Sequence, residues 1–383
     1  MSRLALASLF CLLSVASAAS AQLPDLLELP AQSSASALNK LVLDITSAGD
    51  RLVAVGEYGN ILYSDDQGVS WRQAQVPVQV MLTAVHFPSA LKGWAVGHDA
   101  VILHSEDGGE TWHKQLDGWQ TGHILLAGAQ VWLTRVEAQL EALQGSDDEA
   151  LLLQRDAAGM ALDEAEREIE MGPNRPFLDV WFADEQHGYA IGAFNYFFVT
   201  ADGGRTWQDG SARVPNPEFL HLYSIHPIAE QTLLMAGEFG LLLRSRDGGV
   251  NWEQLELGYP GSLFTVAGGY GDAWVAGLRG NVFYSADGGD NWRHVALDTE
   301  ASLLGGCALS RQRAVFVGLG GSIVEVDLNA AATSKVSQSG RASFATVKVT
   351  RSGAVMLAGE AGLRRLDAEG LPSSIRYLEP GTQ

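Results

Sequence analysis

The chain reads as an all-β, seven-bladed β-propeller with Asp-box hairpins and one inserted α-helical hairpin. Three observations predict this. A strand–turn–strand phrase recurs five times, a glycine turn recurs seven times at near-constant spacing, and in one interval strand alternation yields to a helical period. The phrase is S/T-x-D-x-G-x-[STN]-W, at 64–71, 105–112, 200–207, 245–252 and 285–292. In each copy an aspartate (Asp66, Asp107, Asp202, Asp247, Asp287) can accept turn N–H groups, and a glycine supplies positive φ. A tryptophan (Trp71, Trp112, Trp207, Trp252, Trp292) then returns to the apolar layer. Five near-identical copies are the mark of a structural device, because a site is normally unique. Repetition at about 40 residues is the period of propeller blades.

The glycine turn counts the blades. It begins at Gly56, Gly97, Gly192, Gly237, Gly277, Gly318 and Gly359, with spacings of 41, 95, 45, 40, 41 and 41 residues. The 95-residue interval exceeds a normal one by 54, so seven blades carry one insertion. Within a unit, alternating runs such as Leu82–Phe87, Gly93–Gly97 and Val101–Ser105 are bounded by Gly and Asp, the signature of strands. The blades are expected at about 38–78, 79–119, 174–215, 216–258, 259–297, 298–336 and 337–378, preceded by a lead segment over 22–37. Either of two segments could close the ring: Ser374–Leu378 as a C-terminal fourth strand, or the stretch near Leu26–Leu29.

The insertion, over 120–173, places Leu125, Ala129, Trp132, Val136, Leu140 and Leu143 on one helical stripe, and Leu151, Ala158, Leu162, Ala165 and Ile169 on a second. Gly145 can end the first helix, Ser146 and Glu149 can form a capping box for the next, and Gly172-Pro173 stops it. Residues 122–173 hold eleven acidic and three basic side chains, net −8. On this pattern Trp132 belongs to the hairpin core or serves as a docking anchor.

Residues 1–21 read as a secretory signal peptide. Arg3 precedes an apolar run that ends in Ala19-Ser20-Ala21, an A-x-A cleavage site before Gln22. The expected compartment is the periplasm, with no membrane insertion after cleavage. Cys307 is then the one remaining cysteine, so no intramolecular disulfide is expected, and its place in an inner strand suits a small buried residue. The formal charge of −20 becomes −21 once Arg3 leaves, a surface that repels nucleic acid and anionic lipid. A monomer with a protein partner fits best.

Topology puts the glycine turns, which join the second and third strands, on the same face as the insertion, which follows the fourth strand of blade two. The Asp boxes lie on the opposite face. The candidate binding residues are therefore Glu57, Tyr58, His98, Asp99, Phe194, Asn195, Tyr196, Glu238, Phe239, Arg279 and Glu360, with Trp132 in the hairpin. Glu57, Glu238 and Glu360 share a G-E-x-G pattern that could support acid–base chemistry or could simply be turn residues. His98-Asp99 sits in a turn whose fourth position is Ala100 in place of glycine, as though selected for another purpose. No zinc motif, phosphate loop or nucleophile elbow accompanies these residues, so neither metal nor cofactor is expected. A glycoside hydrolase would draw on the three glutamates. A carbohydrate-binding propeller would draw on Tyr58, Phe194 and Phe239.

Gly93-Trp94-Ala95-Val96-Gly97 with the box at 105–112, and Gly188–Gly192 with the box at 200–207, resemble the repeat of the photosystem II assembly and stability factors of cyanobacteria and plastids. The resemblance covers about 38–370 without the insertion. It implies a seven-bladed, secreted, non-enzymatic protein that binds membrane-protein subunits during assembly. It also points to a proteobacterial branch that accompanies exporters of the resistance–nodulation–division type, and so to an exporter as the docking partner.

Overall fold

The computed structural model describes residues 24–143, 148–269, 271–330, 334–337, 340–367, 372–373 and 376–377. The described strands form seven sheets. Each blade is an antiparallel meander, as in blade two, where Leu82–His86, Gly93–Gly97, Ile102–Ser105 and His113–Leu116 pair in chain order. The innermost strands of the seven blades are Val42–Ala48, Leu82–His86, Phe177–Phe182, Leu222–Ala229, Leu263–Gly269, Leu303–Ser310 and Phe344–Val349. Together they line a central channel of about 770 Å³.

Burial along these strands recurs every third residue, past a bulge near the start, and explains both the core and the channel. In Val42–Ala48, the residues Val42, Ile45 and Ala48 are buried while Leu43, Asp44, Thr46 and Ser47 are only partly so. Second strands such as Leu52–Val55 and Trp94–Val96 are buried on both sides, because each packs against a neighbouring blade. The apolar clusters accordingly span blade pairs. Trp94 of blade two stacks on Phe182 of blade three at 3.6 Å between ring centroids, and Trp274 of blade five meets Phe316 of blade six at 6.0 Å.

Polar groups also stitch the inner ring. Asp44 Oδ2 accepts the Val85 N–H of the next blade at 3.0 Å, and Asp179 Oδ2 accepts the Ile225 N–H at 2.8 Å. Thr83 Oγ1 donates to Phe177 O at 2.8 Å. Burial, with the like charge of Asp44 added, pushes the Asp179 carboxyl up to about 7. Burial holds His86 down at about 3 and His226 at about 4, both neutral in the channel wall. Cys307 is half-buried there and so is less enclosed than its strand position suggests.

Ring closure follows neither expected route alone. The fourth strand of blade seven is Pro372–Ser373. The chain then reaches the outer edge of blade one, where Arg376–Tyr377 pairs in parallel with Ser70–Trp71. The segment around Leu26 lies beneath blade one, where the Gln79 N–H donates to Leu26 O at 2.8 Å and the Ala31 N–H donates to Val76 O at 2.9 Å.

The insertion folds as two helices, α1 (Gly118–Ala142) and α2 (Glu149–Met171). Asp117 caps α1 through a reciprocal capping box with Gln120. Asp148, not Ser146, caps α2, accepting the Ala150 and Leu151 N–H groups at 3.0 and 3.2 Å. Gly145 and Ser146 lie outside the described residues. Gly172, at φ 72°, ends α2. Ala129, Val136, Ala158 and Ala165 are buried, whereas Ile169 is exposed. Among the described residues no helix is long and apolar enough to cross a membrane.

Candidate protein-docking face

Six glycine turns share one unusual backbone, and five of them carry a side chain at its first central position. In blade one the Asn60 N–H closes on Glu57 O at 3.1 Å, with Tyr58 at φ 58°, ψ 33° and Gly59 at φ 67°. That is a type I′ turn, whose two central positions favour Asn and Gly. Asp99, Phe194, Phe239 and Arg279 occupy the same position as Tyr58, at φ between 50° and 56°. A side chain in this left-handed region costs about 1–2 kcal/mol. Tyr58, Phe194 and Phe239 are nevertheless 62%, 49% and 67% exposed, so burial does not offset that strain. Leu278 and Leu319 add exposed apolar surface at neighbouring turns.

The fourth position explains Ala100. A Cβ at Gly59 would lie 2.0 Å from Val78 O, because the segment leading to the next blade crosses the turn. In blade two that segment leaves as the hairpin and returns at Arg175, whose carbonyl accepts the Ala100 N–H at 2.8 Å. The altered path accommodates a methyl group, so no special chemistry is needed to account for the missing glycine.

The turn glutamates are occupied by backbone. Glu57 accepts the Leu41 N–H at 3.1 Å, Glu238 the His221 N–H at 3.2 Å and Glu360 the Ser343 N–H at 3.0 Å. Each carboxylate ties its turn to the segment entering the same blade's innermost strand. Among the described residues, no group of three or more His, Cys, Asp or Glu is placed to hold a metal.

Two of the expected surface residues are interior. Tyr196 is 1% exposed and Asn195 6%, because the hairpin packs over them. The Tyr196 hydroxyl donates to Glu168 Oε1, which also accepts from Thr121 Oγ1 at 2.9 Å. Glu168 Oε2 lies 3.2 Å from Arg175 Nε. The Arg175 guanidinium pairs with Glu164 as well and lies 4.9 Å from the Phe194 ring centroid. Burial raises the Glu168 carboxyl and the Tyr196 hydroxyl above their usual ranges and lowers Arg175. This cluster joins the second helix to blade three, and the turn pattern does not reveal it. An acidic residue on the apolar stripe, three positions after Ala165, was the available signal.

Trp132 is half-buried and lies outside the buried helix–helix contact, contrary to the hairpin-core reading. It lines a groove of about 560 Å³ between α1 and the outer edge of blade three. His98 is exposed at its turn, and Arg279 is exposed with its N–H donating to Ser302 Oγ at 3.2 Å.

The Asp boxes behave uniformly in their carboxylates. Each Oδ1 accepts the preceding hydroxyl at 2.8–2.9 Å and the N–H four residues on at 2.8–3.0 Å. The Asn291 side chain and backbone hold Asp287 down at about 2. In four boxes the tryptophan Nε1 donates to a box glycine carbonyl, whereas Trp207 Nε1 is buried without a partner.

A sequence model of the family described as photosynthesis system II assembly factor YCF48 matches residues 32–131 and 159–361. The chain belongs to this family. A photosystem II assembly lipoprotein Ycf48 from Synechococcus sp. (strain CC9902) is 42% identical over 80 residues, 21% of this chain and 24% of that protein. One from Prochlorococcus marinus is 38% identical over 58 residues, covering 15% of this chain and 17% of that protein. These alignments span at most about a quarter of the curated relatives. Among solved structures, YCF48 bound to D1 peptide superposes with TM-score 0.58 at 13% identity, covering 85% of this chain and 92% of that one. The WD40 propeller domain of Doa1 reaches 0.55 at 11%, covering 88% and 95%. Both likenesses show the propeller fold.

Proposed function

We propose that this YCF48-family chain is a non-enzymatic periplasmic module that docks a membrane-protein complex during its assembly. The docking face is the one bearing the glycine turns and the helical hairpin. The observation that carries this reading is the display of Tyr58, Phe194 and Phe239 at strained, exposed turn positions where Asn or Gly would cost less. A relative in the same family has been solved with a peptide of D1, which supports a protein ligand. The partner in this reading is an exporter of the resistance–nodulation–division type, reached through its periplasmic segments. A surface of −20 formal charge favours attachment through protein over anionic lipid.

The test is a crosslinked pull-down from membrane extracts with the wild-type chain and a Tyr58→Asn/Phe239→Asn variant. Recovery of a membrane transporter by the wild type, lost in the variant, supports the reading. Equal recovery by both overturns the role of these turns.

A further inference from the structure

The groove beside α1 is built from two sides. Gly128 lets α1 approach blade three so closely that a Cβ there would lie 2.4 Å from Asp209 Oδ2. The outermost strand of that blade, Gln208–Asp209, pairs on one side only. Ile124, Val131 and Trp132 form an apolar wall, and Val131 is 69% exposed. Arg135 and Arg213 stand exposed along the groove, and among the described residues neither has a carboxylate at ion-pair distance. Two guanidiniums outside any close ion pair stand out in a chain of net charge −20, although the Asp209 carboxylate at the groove feels the charge of Arg213.

The protein itself shows what lies along such an edge. At blade one, Arg376–Tyr377 runs parallel to Ser70–Trp71. At blade two, Gln75 bridges in parallel to Thr111, with the Trp112 N–H donating to Gln75 O at 3.0 Å. Both are the box-exit residue pair, and its counterpart in blade three is Thr206-Trp207. There the sheet has four strands with no added segment, and the indole N–H of Trp207 is unpartnered.

We infer that this groove receives an extended, acidic segment of a protein partner, laid as a strand beside Thr206-Trp207. Its apolar side chains pack on Trp132 and its carboxylates meet Arg135 and Arg213. The inference rests on the protein-docking reading and names the chemistry of one contact within it.

The probe is a fluorescein-labelled eight-residue peptide alternating valine or tyrosine with glutamate or aspartate, followed by anisotropy beside its lysine counterpart. The acidic peptide is expected to bind in preference, more weakly as salt rises. Arg135→Glu with Arg213→Glu is expected to weaken it roughly tenfold or more. Trp132→Ala is expected to weaken it as well, while Arg155→Glu on α2 leaves it unchanged. Thermal unfolding of each variant checks that the fold persists, and the charge-reversal pair carries the test if Trp132→Ala unfolds. Absence of binding, equal binding of both peptides, or unchanged affinity in the charge-reversed protein overturns the assignment. A concentration-dependent dimer that Trp132→Ala abolishes would assign the groove to a second copy and overturn it too. If the peptide test fails while the Tyr58→Asn/Phe239→Asn variant still loses its transporter, only the groove assignment falls.

Discussion

At the scale of single residues, Tyr58 and Phe239 separate stability from use. Both stand at the first central position of a type I′ turn, exposed, with their carboxylate neighbours Glu57 and Glu238 tied to backbone. Replacing Phe239 by Asn removes a side chain that strains the turn, so the variant is expected to gain about 0.5–1 kcal/mol in urea unfolding. Recovery of the partner should fall in the same variant. A loss of stability would show that the ring packs where its exposure says it does not. Arg175 makes the complementary point. It lies after Pro173, with nothing in its immediate sequence to mark it, yet it is buried between two carboxylates and two aromatic rings.

At the scale of elements, the hairpin is anchored by charge. Arg175 keeps Glu164 when Glu168 is truncated, but the buried hydroxyls of Tyr196 and Thr121 lose their acceptor, so Glu168→Ala is expected to cost about 1–3 kcal/mol of whatever equilibrium holds α2 against blade three. Limited proteolysis should then cut within 118–171 first, while far-UV circular dichroism keeps its β signal. Simultaneous loss of both would mean that hairpin and ring unfold as one unit. The blades were legible because a period of about 40 residues repeats the same Gly, Asp and Trp, and each repetition reinforces the others. The two helices were legible from their stripes, whereas the α1 cap of Asp117 with Gln120 emerges from the structure. The burial of Tyr196, the groove position of Trp132 and the Glu168–Arg175 pair were not legible. They depend on how the hairpin leans, which is set by contacts between segments 28 to 94 residues apart, such as Tyr196 with Glu168 and Trp119 with Asp25.

At the scale of the whole molecule, the channel wall carries opposed proton linkages. His86 and His226 stay neutral in the fold down to about 3 and 4, while in the unfolded chain they take protons near 6.5. They therefore contribute stability above pH 6.5 that is lost as pH falls. Asp179 has the opposite sign. Its folded value of about 7 lies above the unfolded one, so its contribution is complete below about 4 and is lost as pH rises to 7. Asp179→Asn should therefore gain stability relative to the wild type between pH 4 and 7, by up to roughly 4 kcal/mol in that difference. Urea unfolding at a series of pH values reads it, and a pH-independent difference would refute the linkage. Removing residues 368–383 strips the last strand of blade seven and the added strand of blade one, and is expected to cost roughly 2–4 kcal/mol through the lost ladder bonds. An unchanged urea midpoint would show that the ring is sealed elsewhere.

That seal has a temporal meaning as well. Blade one is made early by the ribosome, yet its outer edge is completed by Arg376–Tyr377, which follow the last strand of blade seven. Until those residues emerge, the outer strand edge of blade one stands open, even where blade seven has packed Met356, Ala358 and Leu363 against Leu52, Ala54 and Leu62 of blade one. A chain cut short by a protease or a premature stop keeps that edge exposed, available to a chaperone or to another chain. The covering of that edge thus reports that synthesis has passed the seventh blade.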